Sequence, residues 1–401
     1  MSYLDDEWKK RRNAETERDI ALDKFEMDDI PRKVKKSDKI SGRQKQNPFA
    51  RFAAAALPQA DDPPSEMFRK SFLLLAVAVL IGALLFLGWQ LISMSKGSDI
   101  NKELASIAGS PTESTGSSSY SQPDYVANPT PEIPSTAGEE EPEYIDLTPV
   151  VNTPLNIDFN KLLELNPDTK AWVKITGTML NHVVVQGPDN DYYLRRDFYG
   201  NDSIGGTVFS TFINTWDGTD DNTVLFGHNM DNGDMFAYVI HYVPNDASRE
   251  PLAFYKVHPT IMMATPDGGS ATYKIFAGMI CNTKPEYGDV FNYLTKTKFR
   301  DADDFNHYIL EVMDRSWFFT DVDLKYGDEL LTLSTCYFPL GKQVDSRWVI
   351  IARKVRPGEP EYVDTSKAYR NYQAKLFDYY YERIGGYWAG SVWDKSKLLS
   401  Y

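Results

Sequence analysis

Between residues 155 and 357, apolar residues occur in short runs separated by turns rich in Gly, Asn and Asp. Short runs with this punctuation are typical of β-strands. They predict strands at residues 171–175, 183–186, 207–209, 224–226, 260–265, 273–281, 330–334 and 348–354. So many short strands in about 200 residues predict a mainly β domain, folded as either a closed barrel or a sandwich.

Two segments in this region show helical spacing instead. Residues 159–165 form a short candidate helix that is rich in leucine. Residues 302–317 place Phe305, Ile309 and Val312 at intervals of three and four, so that all three fall on one helical face.

The C-terminal tail is unusually aromatic and is predicted to be helical. Tyr369, Tyr372, Leu376 and Tyr379 recur at helical spacing, and Gly385 with Gly386 would end the helix. The tail either packs on the β domain or offers a contact surface for the membrane or a partner.

The most apolar stretch precedes the β domain, where residues 72–92 contain no charged side chain. A helix of about 20 apolar residues spans the roughly 30 Å hydrocarbon core of a bilayer. A cleaved signal peptide lies nearer the N-terminus, and no clear Ala-x-Ala cleavage site follows this stretch. A buried core helix is the other alternative, but no second stretch of similar apolarity occurs to pack with it. We therefore expect one uncleaved transmembrane anchor.

Positive charge is concentrated on the N-terminal side of the anchor. Arg69 and Lys70 immediately precede it and further basic residues lie within 32–45, whereas Lys96 and Lys102 are the basic residues that closely follow it. The positive-inside rule then predicts a single-pass cell-membrane protein with a cytoplasmic N-terminus and an extracellular β domain. The basic segment either contacts anionic lipid or is simply solvated.

The resulting organisation has distinct parts with different compositions. A stretch rich in Ser, Thr, Pro and Gly cannot bury a core, so the one that follows the anchor is expected to be a flexible stalk. The predicted parts are 1–70, a charged cytoplasmic tail; 71–93, the transmembrane anchor; 94–154, the extracellular stalk; 155–357, the β domain; and 358–401, the aromatic helical tail.

Charge and cysteine content exclude several classes of protein. The net charge of -14 argues against nucleic-acid binding, which requires a basic surface. The two cysteines, Cys281 and Cys336, are too few for a disulfide scaffold or a Cys-rich zinc module. No spacing of Asp and Glu indicates a metal site, and no cofactor is expected.

Cys336 is the stronger candidate for a reactive thiol. Strand alternation puts Thr332, Ser334 and Cys336 on one polar face, and Cys336 ends the strand, where a thiol is accessible. Cys281 instead follows Ala277 and Met279 along a face that begins at Tyr273 and Ile275 and is largely apolar, so we expect it to be buried in the core.

A catalytic thiol needs a base or a cation nearby, because only a few per cent of a normal thiol is ionised at pH 7. Among the histidines, His228 has the best context, since it follows Gly227 at the end of a predicted strand. Arg347 begins the strand after Cys336, and an antiparallel return would bring the two residues together. Its guanidinium is suited to stabilising an oxyanion, although an arginine at a strand end is more often a surface group.

Several ordered motifs resemble the sortase family, and in detail its class B. These are Thr332-Leu333-Ser334-Thr335-Cys336, the Arg347 that leads the final strand, the segment Leu225-Phe226-Gly227-His228-Asn229-Met230, and the early segment from Gln186 to Arg195. The long connection between His228 and Cys336, which carries the helix at 302–317, resembles the class B insertion. The resemblance covers about residues 158–355, close to half of the chain.

The resemblance implies a closed sortase-type β-barrel of about eight strands that acts as a cysteine transpeptidase on the outer face of a Gram-positive-type membrane. Carried over by position, Cys336 is the nucleophile, His228 the general acid/base and Arg347 the group that stabilises substrate and oxyanion. The implied substrates are surface proteins or pilins with a C-terminal sorting signal of Pro-x-Thr type. The implied acceptor is an amine of a cell-wall peptide or a pilin lysine. Membrane lipid is expected as a further partner, and nucleic acid is not.

Two other functions remain open at this stage. A cysteine hydrolase would use water in place of the amine, and a stalked surface protein without enzymatic activity would keep Cys336 buried. A thioester that resists water but reacts with an amine excludes the first, and thiol labelling of the folded protein excludes the second.

Overall fold

The computed structural model of the protein describes residues 57–59, 61–109 and 146–398. The chain divides into two compact units, Met1–Leu80 and Ile81–Tyr401. The expectations for the N-terminal tail up to residue 56, and for the stalk between 110 and 145, lie outside the described residues.

Helix α1 (Pro64–Ile107) contains the apolar stretch predicted as an anchor. Among the helices of the described ranges, it alone is long and apolar enough to cross a membrane. Its apolar side chains are exposed, with Leu85 at 70% and Phe86 at 62% of full exposure. An exposed apolar surface of this extent is unusual in a soluble domain and typical of a helix that faces lipid.

The C-terminal end of α1 packs against the β domain within the second unit. Leu104, Ala105 and Ala108 are at most 1% exposed and share a core cluster with Trp172 and Val183. The helix thus continues into the segment predicted as stalk, because its last turns present a small apolar patch that the β domain buries.

A closed barrel forms the centre of the β domain, as predicted. Its strands are β1 (Thr169–Lys174), β2 (Asn181–Val185), β3 (Phe209–Ser210), β4 (Asn222–Phe226), β5 (Thr260–Thr265), β6 (Gly269–Asn282), β8 (Leu330–Cys336) and β9 (Ser346–Lys354). Each of the predicted strands overlaps one of these. Around the barrel they follow the order β1-β2-β3-β4-β8-β9-β6-β5, and β5 pairs with β1 to close it.

The remaining elements surround the barrel. Strands β7 (Phe318–Phe319) and β10 (Tyr369–Arg370) form a separate two-stranded sheet. The helices that follow α1 are α2 (Phe159–Leu165), α3 (Ala253–Val257), α4 (Ala302–Arg315) and α5 (Asp378–Ile384).

Two apolar clusters lie on opposite faces of the central strands. The inner cluster contains alternate residues of β8 and β9, including Leu331, Leu333 and Ile350, each fully buried. The outer cluster lies between these strands and helix α4, whose Phe305 and Ile309 are fully buried, as the helical periodicity predicted. Helix α4 therefore covers the face of the sheet that carries the polar residues of β8.

The alternation predicted along β6 is broken by a bulge. The pairing of β6 with β9 shifts between Ile275 and Ala277. Tyr273 and Ile275 therefore lie in the inner cluster, whereas Ala277 and Cys281 lie in the outer one. Cys281 is buried as predicted, at 3% exposure, but on the face opposite to that of Ile275.

The C-terminal tail is mostly irregular rather than helical. Its single described α-helix is α5, which ends at Gly385, a residue with φ of 82°. The preceding residues cannot continue this helix, because Tyr369 and Arg370 pair with β7 as a strand. Asn371 then donates its side-chain amide to the Ser316 carbonyl at 2.7 Å, which fixes the tail against the barrel.

Candidate active site

Strand pairing brings the three predicted site residues to one rim of the barrel. Cys336 ends β8 and is the direct cross-strand partner of Arg347 on antiparallel β9. Strand β4 runs parallel to β8, with Phe226 opposite Ser334. His228 lies two residues beyond Phe226, as Cys336 lies two beyond Ser334, so the chain reaches both residues at the same end of the two strands.

Hydrogen bonds fix the segment that carries His228 to the end of β8. The Gly227 amide donates to the Ser334 carbonyl at 3.3 Å, and the Thr335 hydroxyl donates to the Gly227 carbonyl at 2.8 Å. The Asn229 side-chain amide donates to the Cys336 carbonyl at 3.3 Å. The backbones on either side of His228 are therefore joined to the backbone around Cys336.

Gly227 is required by close packing at this position. A Cβ atom added to it would lie 2.6 Å from Cγ of the Phe236 ring. Phe236 is fully buried and its amide donates to the His228 carbonyl at 2.8 Å. A side chain at position 227 would therefore displace the loop that positions the histidine.

The His228 ring is oriented by a backbone carbonyl. Its Nε2 lies 2.9 Å from the Leu194 carbonyl oxygen. A carbonyl only accepts, so Nε2 carries a proton in this contact and Nδ1 is left as the basic nitrogen. Burial lowers the pKa of His228, the Leu194 carbonyl opposes this, and the positive charges of Arg195 and Arg347 lower it further. The imidazole is therefore neutral in the resting protein.

Cys336 is partly exposed and is also neutral at rest. Burial raises the pKa of its thiol above the ordinary value, Arg347 and Arg195 oppose this rise, and the carboxylate of Asp345 adds to it. Among the described residues, no hydrogen bond joins Cys336 to His228. Catalytic contacts are often long in a free enzyme and shorten when substrate binds, so this geometry is compatible with a thiol–imidazole pair.

The guanidinium of Arg347 is held beside the thiol by neighbouring oxygens. Its Nη1 donates to the Asp345 carboxylate and, at 3.0 Å, to the Ser346 carbonyl. The Arg347 side chain is 26% exposed, which leaves part of the guanidinium accessible to a ligand. A fixed cation next to a thiol and open to solvent can polarise a carbonyl oxygen that enters the site.

Comparison with known proteins identifies the family. The sequence profile of the Sortase domain matches residues 173–355. Sortase B of Listeria monocytogenes is 30% identical over 186 residues, which are 46% of this chain and 70% of that protein. This chain belongs to the sortase family. Sortases are cysteine transpeptidases, and the relatives of this chain assign it to class B.

Two further sortases of the same class show similar coverage. Sortase B of Staphylococcus aureus is 28% identical over 198 residues, which are 49% of this chain and 75% of that protein. The X-ray structure of Clostridium perfringens sortase B has 32% sequence identity and a TM-score of 0.43, and the match covers 50% of this chain and all of that one.

The candidate site contains two charged residues that were not predicted from the sequence. Arg195 ends a 3₁₀ turn, Tyr193–Arg195, and its charge acts on both Cys336 and His228. Asp345 precedes Arg347 by two residues and binds its guanidinium. The i, i+2 spacing of Asp345 and Arg347 at the start of a strand was the available signal for the second, whereas Arg195 is brought in by a loop.

Proposed function

We propose that Cys336, His228 and Arg347 carry out acyl transfer from a sorting signal to an amine. The observation that supports this most strongly is the direct cross-strand pairing of Cys336 with Arg347 at the rim where His228 emerges. Nucleophile, acid/base and oxyanion donor are the three functions that a two-step exchange of an amide requires.

The reaction starts from the neutral pair. Nδ1 of His228 takes the thiol proton, and the Cys336 sulfur attacks the carbonyl carbon of the threonine in a Pro-x-Thr-type signal. Arg347 donates N–H groups to the oxygen on which negative charge develops. The imidazolium of His228 then protonates the departing amine, the amide C–N bond breaks, and a thioester remains on Cys336.

The second half of the reaction reverses these roles. An amine of a cell-wall peptide or a pilin lysine gives its proton to His228 and attacks the thioester carbonyl. The C–S bond breaks, the sulfur recovers the proton, and a new amide joins the two polypeptides. Splitting one amide exchange into two steps through a thioester lowers the barrier of each.

We further propose that α1 anchors this enzyme in the cell membrane through residues 72–92. The exposure of Leu85 and Phe86 supports a lipid-facing helix. By the positive-inside rule, residues 1–70 are cytoplasmic and the barrel is extracellular, where surface-protein or pilin substrates and the cell wall are reached. Residues 94–154, predicted as the stalk, connect the anchor to the barrel.

Mass spectrometry of the acyl-enzyme tests the proposal. The full chain is incubated with a panel of Pro-x-Thr peptides, and we expect a covalent adduct on Cys336 that disappears when a lysine peptide is added. Cys336→Ala is the control and should form no adduct. An adduct that is released equally fast by water alone would make the protein a hydrolase, and no adduct with any peptide would contradict the proposal.

A further inference from the structure

The contacts of Asp345 connect the proposed oxyanion donor to a second strand. One carboxylate oxygen, Oδ1, accepts from Nη1 of Arg347. The other, Oδ2, accepts from the Thr283 hydroxyl at 2.7 Å. Both carboxylate oxygens are therefore engaged, each with a different residue, and the plane of the carboxylate is fixed between them.

Backbone contacts hold Asp345 itself in place. The Thr283 amide donates to the Asp345 carbonyl at 3.1 Å, directly beyond the end of β6. The Tyr337 amide donates to the Ser346 carbonyl at 3.1 Å, and the Ser346 hydroxyl donates to the Tyr337 carbonyl. Asp345 is thus part of an ordered junction where β6, β8 and β9 meet.

The charge of Asp345 persists at neutral pH. Burial raises the pKa of its carboxyl, but hydrogen bonds from Arg347 and Thr283 lower it by more, so it lies below the ordinary range. An ionised carboxylate that fixes one nitrogen of a guanidinium restricts the directions of the remaining N–H groups. An unrestrained arginine would have to adopt one of many rotamers on binding substrate, at a cost in conformational entropy.

We propose that Asp345, anchored by Thr283, is a positioning residue that holds the Arg347 guanidinium beside Cys336 for the transfer reaction. This inference rests on the proposed function of Arg347. Asp345 acts through Arg347 and has no contact with the reacting carbonyl in this scheme. Its carboxylate also opposes ionisation of the nearby thiol, so its removal has two separable effects.

Asp345→Asn keeps the shape and removes the charge, and is tested in the full chain with a fluorogenic Pro-x-Thr peptide and a lysine peptide. A displaced catalytic group can cost on the order of 10²-fold in rate, so we expect kcat to fall about 10- to 100-fold with KM little changed. The alkylation rate of Cys336 by iodoacetamide should reach half its maximum at lower pH, because a negative charge near the thiol is lost. Unchanged kcat, or a higher kcat that accompanies easier ionisation of the thiol, would overturn the proposal.

A double-mutant cycle tests whether Asp345 acts through Arg347. In an Arg347→Lys background, Asp345→Asn should cost less than about twofold, because the interaction that it supports is already lost. If the full cost persists, Asp345 does not act through Arg347 and the proposal is wrong. If Arg347→Lys alone is fully active, the proposed function of Arg347 fails and this inference fails with it, whereas full activity of Asp345→Asn beside an impaired Arg347→Lys overturns this inference alone.

Two further variants separate positioning from general stability. Thr283→Val removes the hydroxyl that anchors Asp345 and keeps the side-chain shape, so we expect a smaller fall in kcat of about threefold to tenfold. Full activity of this variant would overturn the anchoring role of Thr283, even if Asp345→Asn fails to fold.

The matched control is Asp246→Asn, which breaks the ion pair of Asp246 with Arg370 in the tail and should leave kcat unchanged. An equal loss in this control would show that any broken carboxylate–arginine pair has the same effect, and would overturn the proposal.

Discussion

Arg347 lies between two cysteines on neighbouring strands. It pairs with Cys336 of β8 on one side and with Cys281 of β6 on the other. Direct cross-strand partners project on the same face of a sheet, so both cysteines lie on the face that carries the Arg347 side chain. Their surroundings nevertheless differ: Cys281 is 3% exposed within the outer cluster below α4, whereas Cys336 ends its strand and is partly exposed.

The difference is expressed in the ionisation of the two thiols. Burial raises the pKa of Cys281 to about 12, against the opposing effect of the Arg315 charge. Burial also raises the pKa of Cys336, but Arg347 and Arg195 both oppose it. Proximity to an arginine is therefore insufficient for reactivity, since a reactive thiol also needs access for a substrate and a base within reach.

The largest expected effect is the difference in activity between variants that lack one or the other thiol. Cys336→Ala should abolish transpeptidation because it removes the proposed nucleophile, whereas Cys281→Ala should retain most of it. The measurement is the rate of amide exchange between a Pro-x-Thr peptide and a lysine peptide. Equal loss in both variants, with both folded by circular dichroism, would show that the two cysteines do not differ in the proposed way.

A smaller effect is expected when lysine replaces Arg347, which keeps the positive charge but removes the planar guanidinium. Arg347→Lys should lower kcat/KM by about 10²- to 10³-fold, the usual cost of losing one oxyanion donor. An ammonium is a flexible point charge, whereas a guanidinium directs several N–H groups in one plane. Thermal unfolding is the control and should be near wild type. Activity close to wild type in the Lys variant would make Arg347 a surface residue and reduce the proposed site to Cys336 and His228.

The strands and the rim of the barrel were predictable because they depend on local patterns. Alternation along β8 located Cys336 on a polar face, and a short return loop was enough to expect Arg347 beside it. Helix α4 was predicted from Phe305 and Ile309, which the structure buries completely. These features follow from periodicity within one element and its immediate neighbour.

Features that depend on distant parts of the chain were not predictable. The bulge in β6 reverses the face of every later residue, so the burial of Cys281 was expected on the wrong face. The tail was expected to be helical from Tyr369, but pairing with β7 overrides its helical spacing. Arg195 reaches the site through a loop whose course leaves no signal in the local sequence.

The pH dependence of alkylation distinguishes the two thiols by their ionisation. Both thiols are neutral at rest, so in Cys281→Ala the reaction of Cys336 with iodoacetamide should rise about tenfold per pH unit below its pKa. Since that pKa is raised, the rise should continue past the ordinary thiol value of about 8.5 before it levels off. A plateau that begins below pH 7 would instead indicate a resting thiolate–imidazolium pair with His228. The folded Cys336→Ala variant contains Cys281 as its one thiol and should remain unlabelled over the same pH range.

The smallest expected effect concerns stability. Here the Cys281 substitution should cost more unfolding free energy than the Cys336 substitution, the reverse of their order in activity. Cys281→Ala removes a sulfur from a closely packed cluster, and a small cavity of this kind costs about 1 kcal/mol of unfolding free energy. For a domain of this size, that corresponds to a fall of roughly 2–4 °C in Tm. Cys336→Ala removes a partly exposed group and should change Tm by less. Differential scanning calorimetry of the two variants beside the wild type measures both shifts. If Cys336→Ala proved as destabilising as Cys281→Ala, the thiol at the rim would also be a packing element, and the contrast between a structural and a catalytic cysteine would not hold.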